Sequence, residues 1–466
     1  MISSPNASSQ ASSKSQTSEL LDQSALTTLA QRLVEAAKRA GADAADAVAV
    51  RGVSQGVEVR DGRVEESERS EGDDVGLRVL VGRRQAVVST NDISGDNVAK
   101  LAERAVAMAR VAPEDQYVGL ADPALLARNF PDLDLLDPVP PTTAELERRA
   151  MEAEAAGLAV KGVTKSGGAS ASAGIGGMVL VTSTGFHGAY LRSSHSISMM
   201  AIVGDGTSME RDYDFTSALH ASDLASPESV GRSAGERTVA RANPRKVATC
   251  KAPVVYDPRV AGSLVGHVVG AVNGASIARK TSFLKDRLGE RLFAPGIRIV
   301  DDPLRVRGLR SQSFDAEGVA VKKLAIIDDG VLTSWLLDSA TARELGLATT
   351  GHAHRGVSSS PSPGPYNLHL EAGSVTPADL ISDIKQGFYV TDLIGSGVNG
   401  VTGDYSRGAS GFWIENGEIT YPVSEITIAG HLIEMFKSLT PANDLEFRYA
   451  TNAPTVRIEG LTIGGR

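Results

Sequence analysis

Arg259-Val-Ala-Gly262-Ser-Leu-Val-Gly266-His-Val-Val-Gly270-Ala-Val-Asn-Gly274-Ala275 is the stretch on which the reading of this 466-residue chain turns. Val260, Ala261, Leu264, Val265, Val268, Val269 and Val272 recur at helical spacing and form an apolar stripe. On another face Gly262, Gly266, Gly270 and Gly274 recur every fourth residue. Each glycine inside a helix costs about 1 kcal/mol relative to alanine, so the set costs roughly 3–4 kcal/mol before tertiary packing. The expected offset is a backbone or strand lying against the glycine face, where any Cβ would clash. Two readings stand, tight core packing and an altered active-site wall. No residue from Val260 to Ala278 carries a formal charge, but the glycines, Ser263, Ser276, His267 and Asn273 favour a buried helix of a soluble protein over a membrane span.

Downstream, strand signals recur at Val254–Asp257, at Ile297–Val300, in a hairpin over Lys322–Leu337 turning at Asp329-Gly330, in another over Phe412–Tyr421 turning at Asn416-Gly417, and at Thr455–Leu461. Residues 247–466 are therefore expected to form a large β-rich C-terminal domain carrying the glycine-striped helix. Upstream, residues 117–246 divide into a Pro-rich linker over Tyr117–Pro141 and a middle α/β segment. That segment has a helix from Thr143, strands at Met178–Thr182, Phe186–His195 and Ile197–Val203, and a second helix opened by Ser226-Pro227-Glu228. Residues 23–116 read as an N-terminal α+β domain with an antiparallel sheet. Its first helix, Ala25–Ala40, is capped by Ser24 and ended by Gly41, strands follow, and a second helix covers Asp96–Val111. Residues 1–22 read as a disordered Ser-rich leader without the apolar core of a signal peptide. The fold class expected is α+β, and no internal repeat of 20–50 residues is present.

Composition narrows the function. Single cores rarely grow past roughly 250 residues, so the chain holds two or three. Net charge is 47 − 56 = −9, with no Lys/Arg-rich run, which argues against nucleic acid or an anionic membrane as partner. One cysteine, Cys250, permits neither an internal disulfide nor a cysteine-based zinc site, and fits a cytoplasmic, reducing compartment.

Candidate chemistry is sparse. The eight histidines contain no H-E-x-x-H arrangement. His352 and His354 would share a face of a strand, but two neutral ligands do not complete a metal site and Gly351 and Gly356 suggest a loop. Asp315 and Glu317, in Phe314-Asp-Ala-Glu-Gly318, are either paired carboxylates for acid–base work or a turn, and the turn is preferred. Gly395-Ser-Gly397-Val-Asn-Gly400-Val-Thr-Gly403-Asp-Tyr-Ser-Arg-Gly408 lacks the Gly-Lys-Ser/Thr ending of a phosphate loop. A tight turn is preferred, with capture of an anion or peptide carboxylate by its amides and Arg407 as the alternative. Cys250 has no activating neighbour in sequence.

Several strings resemble the PmbA (TldE) branch of the TldD/PmbA metallopeptidase family. They are Ala107-Met-Ala-Arg-Val-Ala-Pro-Glu-Asp115 with Gly119-Leu-Ala-Asp-Pro123, the long and specific block Val401-Thr-Gly-Asp404-Tyr-Ser-Arg407-Gly-Ala-Ser-Gly-Phe-Trp413, and Val423-Ser-Glu-Ile-Thr-Ile-Ala-Gly430. The similarity covers nearly everything after the leader. In the TldD branch a helix carries H-E-x-x-x-H, whose histidines bind zinc together with a distant C-terminal cysteine and whose glutamate activates water. Aligned on that pattern, Gly266 and Ala271 stand where the ligands would be and His267 where the base would be. No thiol follows Cys250, so the resemblance implies a chain with no catalytic residue and no zinc of its own.

What the resemblance implies is a cytoplasmic subunit of a two-chain peptidase. A TldD-type partner would supply zinc, while this chain would help to enclose the cleavage chamber and bind unfolded peptide along strand edges, with Asp315, Glu317, Asp404 and Arg407 as possible peptide-binding or turn residues. It also implies proteolysis of small or unstructured proteins, including maturation of peptide antibiotics and turnover of antitoxins. Two other classes are a stand-alone hydrolase using Asp315, Glu317 or His267, and a non-enzymatic scaffold that forms a homodimer in isolation.

Overall fold

The computed structural model describes residues 22–92 and 95–466, so the Ser-rich leader lies, apart from Asp22, outside the described residues. Helix α1 (Ser24–Arg39) buries Leu26, Leu29, Ala30, Leu33 and Ala37 and ends at Gly41, which takes the left-handed φ of 100° that the chain needs to leave the helix. Ser24 does not cap it. Gln23 holds the cap position without a side-chain bond, and the Ser24 amide, already in the first turn, donates to Asp22 Oδ1 at 2.9 Å.

Three antiparallel strands follow, β1 (Ala44–Arg60), β2 (Arg63–Val81) and β3 (Arg84–Thr90), then helix α2 (Gly95–Val111). After the linker come helix α3 (Thr143–Leu158), capped by Thr142, then β4 (Lys165–Thr182), β5 (His187–Val203), β6 (Glu210–Ala218) and helix α4 (Pro227–Ala240), capped by Ser226. These strands make one antiparallel sheet in the order β3-β2-β1-β4-β5-β6, and its seam is the long β1–β4 ladder from Asp46↔Thr182 to Val59↔Ala169. The N-terminal and middle segments thus share a sheet. Its helices lie on one face, α1 and α2 over Ala45, Ala47, Leu77 and Val79, and α3 and α4 over Ala169, Ala171, Ile197 and Met199.

β4 starts well before Met178, β5 does not break between His195 and Ile197, and β6 is absent from the sequence reading. In β4 the buried positions are Ala169, Ala171, Ala173 and Ile175 alternating with Ser and Gly, a pattern too weakly apolar to read as strand. In β6 two buried positions are Asp212 and Asp214, neutralised by Arg259, Arg241 and Arg448 from elements distant in sequence.

The C-terminal part is built on β7 (Cys250–Tyr256), helix α5 (Pro258–Ala271), β8 (Gln386–Ile394), β9 (Asp404–Glu415), β10 (Glu418–His431) and β11 (Val456–Gly464). The strands run β10-β9-β8-β7-β11, with β7 and β8 parallel, and pairing of Thr427–Ala429 with Thr462–Gly464 returns β11 to β10 and closes the ring. The β9–β10 turn sits at Asn416-Gly417, both with positive φ, and Asp329-Gly330 turns the Leu324–Asp328 and Val331–Leu332 hairpin in the same way. A smaller sheet holds that hairpin beside Ile299–Asp301, Leu368–Leu370 and Thr451–Asn452. Helix α5 contributes Ala261, Leu264, Val265, Val268 and Val269 to the largest core. Among the described residues no helix is long and apolar enough to cross a membrane.

Candidate functional site

Helix α5 carries Gly266, His267 and Ala271, the positions that the resemblance aligns with a metal-binding helix. Asp257 caps it, its Oδ1 accepting from the Arg259 amide at 3.0 Å while its Oδ2 accepts from the Tyr389 hydroxyl at 2.9 Å, and Pro258 occupies the first turn. The helix stops at Ala271 rather than continuing to Ala275. Asn273 is extended, caps a separate turn over Gly274–Ala278, and donates to the Pro363 carbonyl, while the Gly274 amide donates to the Leu336 carbonyl.

The four glycines divide into two pairs. A Cβ on Gly262 would lie 3.0 Å from the Thr451 carbonyl oxygen and one on Gly274 would lie 2.7 Å from that of Leu336, so backbone presses on the helix at the first and on the turn that follows it at the second. At Gly266 and Gly270 nothing lies within 4 Å of such a Cβ. The expectation of close packing along the whole glycine face is therefore corrected for its middle, which opens to solvent.

The open middle has no donor set. Gly266 contributes only backbone, and the Ala271 methyl is buried. His267 is half-buried, its ring edge set against Tyr405 of β9 with centroids 5.8 Å apart, and its Nε2 is buried without a hydrogen-bond partner. Burial, with the positive charge of Arg407, lowers the imidazole to about 4, so it is neutral at physiological pH. Behind it the Tyr256 hydroxyl donates to that of Tyr405 at 3.4 Å, and burial raises both phenols. A base needs a proton affinity near the working pH and a partner that orients it, and His267 has neither. Burial also raises the Cys250 thiol, which sits at the start of β7. Among the described residues no three His, Cys, Asp or Glu side chains form a group that could hold a metal ion. The side chains around Gly266, His267 and Ala271 do not make a zinc site.

Asp404 and Arg407 both lie on β9. Asp404 is exposed and accepts from the Thr402 hydroxyl at 2.6 Å, and Arg407 Nε donates to the Ile394 carbonyl at 3.4 Å. The glycine-rich loop before them is bound to itself. Asn399 Oδ1 accepts from the amides of Val401 and Thr402, the Asn399 carbonyl from Gly403, the Gly397 carbonyl from Ser406, and the Asp404 carbonyl from Asn399. With those five amides occupied, Asn399–Ser406 is a turn held by its own backbone and the Asn399 side chain.

Asp315 and Glu317 belong elsewhere, beneath the first sheet. Asp315 is fully buried. Its Oδ1 accepts from the amides of Glu317 and Val319, closing the turn, and its Oδ2 from the amide of Ala353. Glu317 Oε2 accepts from the Ser339 amide. Burial raises both carboxyls, and the charge of Glu317 raises Asp315 further. Each is closed off from solvent, so neither can meet a substrate without unfolding its surroundings. His352 and His354 pack on the ring of Tyr366, 5.3 and 4.6 Å between centroids, and burial takes His354 down to about 4.

Sequence reasoning missed the buried ion cluster at Asp46. Arg78 of β2 donates to Asp46 Oδ2 through Nε and Nη2, and Arg355, from the C-terminal part, donates to Asp46 Oδ1. Burial would raise the Asp46 carboxyl, but the charges of Arg355 and Arg78 hold it below the usual carboxylate range. The available signal was Arg78 inside the otherwise apolar strand Val75-Gly-Leu-Arg-Val-Leu-Val81.

Comparison with known proteins follows the same geography. Models of the PmbA/TldA metallopeptidase domain 1, central domain and C-terminal domain match residues 45–109, 136–242 and 249–465. Metalloprotease PmbA of Escherichia coli O157:H7 is 40% identical over 412 residues, covering 88% of this chain and 90% of its own. The Haemophilus influenzae PmbA homolog is 37% identical and covers 93% and 94%. Among solved structures, a putative modulator of DNA gyrase from Bacteroides thetaiotaomicron superposes with a TM-score of 0.86 at 27% identity, over 94% of this chain and 98% of that one. TldE from Thermococcus kodakarensis has the same fold, with a TM-score of 0.83 at 19% identity over 94% and 100%.

Proposed function

This chain belongs to the PmbA/TldD metallopeptidase family, and from that premise we propose that it is the PmbA/TldE-type subunit of a two-chain peptidase whose TldD-type partner holds the zinc. One observation carries the reading. At the exposed middle of helix α5, the positions that would ligate a metal are a bare Gly266 and a buried Ala271, and the remaining His267 is neutral and unpartnered. The chain's own contribution is then structural and recognitive. It walls the cleavage chamber and holds extended peptide, in the cytoplasm, while the metal chemistry belongs to the partner.

The test is purification of the full chain alone and together with a TldD-type chain, with metal content and peptidase activity measured on each. The expected result is a metal-free, inactive single chain and a pair whose activity is abolished by a chelator. Stoichiometric zinc in the isolated chain would overturn the reading. Chelator-resistant activity of the isolated chain would replace it with a stand-alone hydrolase, and inactivity in both preparations with a homodimeric scaffold.

A further inference from the structure

Strand β2 carries an edge that the fold leaves unused. Residues Arg63–Asp74 pair with β1 on one side, whereas β3 covers only Val75–Val81 on the other, so among the described residues no strand pairs with the outer edge of Arg63–Asp74. Residues 63–72 and Asp74 are exposed, and the segment contains no proline. Natural edges are usually shortened, kinked, covered or interrupted by proline. This one runs twelve residues with a single bulge, at Glu65 of β2 itself, and is unbroken over Glu66–Asp74.

Its charge is one-sided. Arg63–Asp74 contains six acidic residues (Glu65, Glu66, Glu68, Glu71, Asp73, Asp74) and two arginines. Three of the acids are matched, Asp73 by Arg51, Glu71 by Arg69 and Glu65 by Arg60. Glu66, Glu68 and Asp74 have no ion pair among the described residues, nor has Glu58 on β1. The ladder places all four on one face of the sheet, with Glu58 directly opposite Glu66, Gly56 opposite Glu68 and Val50 opposite Asp74. Like charges directly opposed across two strands oppose the pairing rather than supporting it. Between the acids the same face is paved by Gly52, Ser54, Gly56, Ser70 and Gly72. Nothing lies within 4 Å of a Cβ placed on Gly72, and at Gly52 and Gly56 only atoms of the neighbouring β4 do, so the face is clear above the strands.

We propose that the outer edge of Arg63–Asp74 is a docking site for an extended, lysine- or arginine-rich polypeptide segment, which adds as a strand and sets alternate cationic side chains against Glu58, Glu66 and Glu68. Main-chain bonds supply the pairing that β2 lacks, and side chains two residues apart reach the same face. Cations there remove the Glu58–Glu66 repulsion, and the Gly/Ser floor admits long side chains without a clash. A second copy of the chain is the wrong occupant, because it would bring the same carboxylates edge to edge. The proposal rests on the peptide-holding part of the reading above. Binding measured without cleavage separates its failure from that of the metallopeptidase assignment.

The experiment is fluorescence anisotropy of a labelled acetyl-Lys-Thr-Lys-Thr-Lys-Thr-Lys-Thr-amide peptide titrated with the full chain. The expected result is saturable binding that weakens about tenfold or more in the Glu58→Gln, Glu66→Gln, Glu68→Gln triple variant, whose exposed substitutions leave the circular dichroism spectrum unchanged. Methylating alternate backbone amides of the peptide should weaken binding to a similar degree, which a purely electrostatic attraction would not. The proposal is overturned if the peptide does not bind saturably, if the triple variant binds it within about twofold of the parent chain, or if the methylated peptide binds as tightly as the parent peptide. Self-association of the chain that the peptide competes away would also overturn it, by making a second copy the occupant.

Discussion

Two arginines from different parts of the molecule close on one buried carboxylate at Asp46, and the consequences are measurable at that single residue. Asp46→Ala leaves Arg78 and Arg355 buried without their counter-charge, and loss of one member of a buried pair costs about 3–5 kcal/mol. Urea unfolding at neutral pH should show a loss of that size. Because the folded-state carboxyl titrates below its unfolded value, the stabilisation is complete above about pH 4 and disappears as pH falls through the depressed folded value. The difference between wild type and variant should therefore shrink in acid. His267 acts in the same direction from a different cause, burial of an imidazole that must stay neutral. Its folded value of about 4 lies below the unfolded one, so protonation favours the unfolded chain and stability is lost as pH falls from about 6.5 towards 4. An NMR titration should place its midpoint near 4, and His267→Gln should flatten that part of the stability profile. If the proposed division of labour holds, the same variant leaves the two-chain activity within about twofold, since a neutral imidazole with no orienting partner supplies no proton transfer. Neither behaviour could be read from the local sequence. Asp46 sits in a plain Ala/Val strand, and what surrounds it arrives from Arg355, more than three hundred residues later.

At the scale of the element, helix α5 separates propensity from packing. Its apolar stripe was legible from spacing alone, and so was the cost of its glycines. Which glycines earn their place was not, because Thr451 and Leu336 come to the helix from distant segments. Gly266→Ala and Gly270→Ala place a methyl in open space inside a helix and should each stabilise the chain by about 0.5–1 kcal/mol, seen as a rise in the urea midpoint. Gly274→Ala drives its Cβ to 2.7 Å from the Leu336 oxygen and should destabilise by about 1–3 kcal/mol. A stabilising Gly274→Ala would show that the turn after Asn273 relaxes freely. The turns show the easier case, since Asn416-Gly417 and Asp329-Gly330 are local signals whose residue types already favour the positive φ they adopt.

The whole molecule is tied together across its linker. The Pro-rich segment 117–141 contains only one short helical turn, Pro123–Leu125, but it is fastened to the C-terminal part by the Ala127 amide donating to the Gly318 carbonyl, by the Arg307 amide donating to that of Leu133, and by Arg343 donating to the carbonyls of Tyr117 and Leu120. The β1–β4 ladder joins the pieces on either side. A protease cut engineered near Val139, which is exposed, should therefore leave fragments that co-elute on native size exclusion and separate only in denaturant. Elution of an independent N-terminal fragment would show that the shared sheet does not hold the two segments together.

The order of most helices, the hairpins with their Asn-Gly and Asp-Gly turns, and the family, through the block around Asp404, all followed from the chain read as a string. Each rests on residue identity or on spacing within a few positions. The sheet shared by the N-terminal and middle segments, strand β6 with its buried aspartates, the burial of Asp315 and the open middle of helix α5 were decided only in three dimensions. They depend on which distant segment arrives to neutralise a charge or fill a space, and that information is carried by contacts rather than by periodicity.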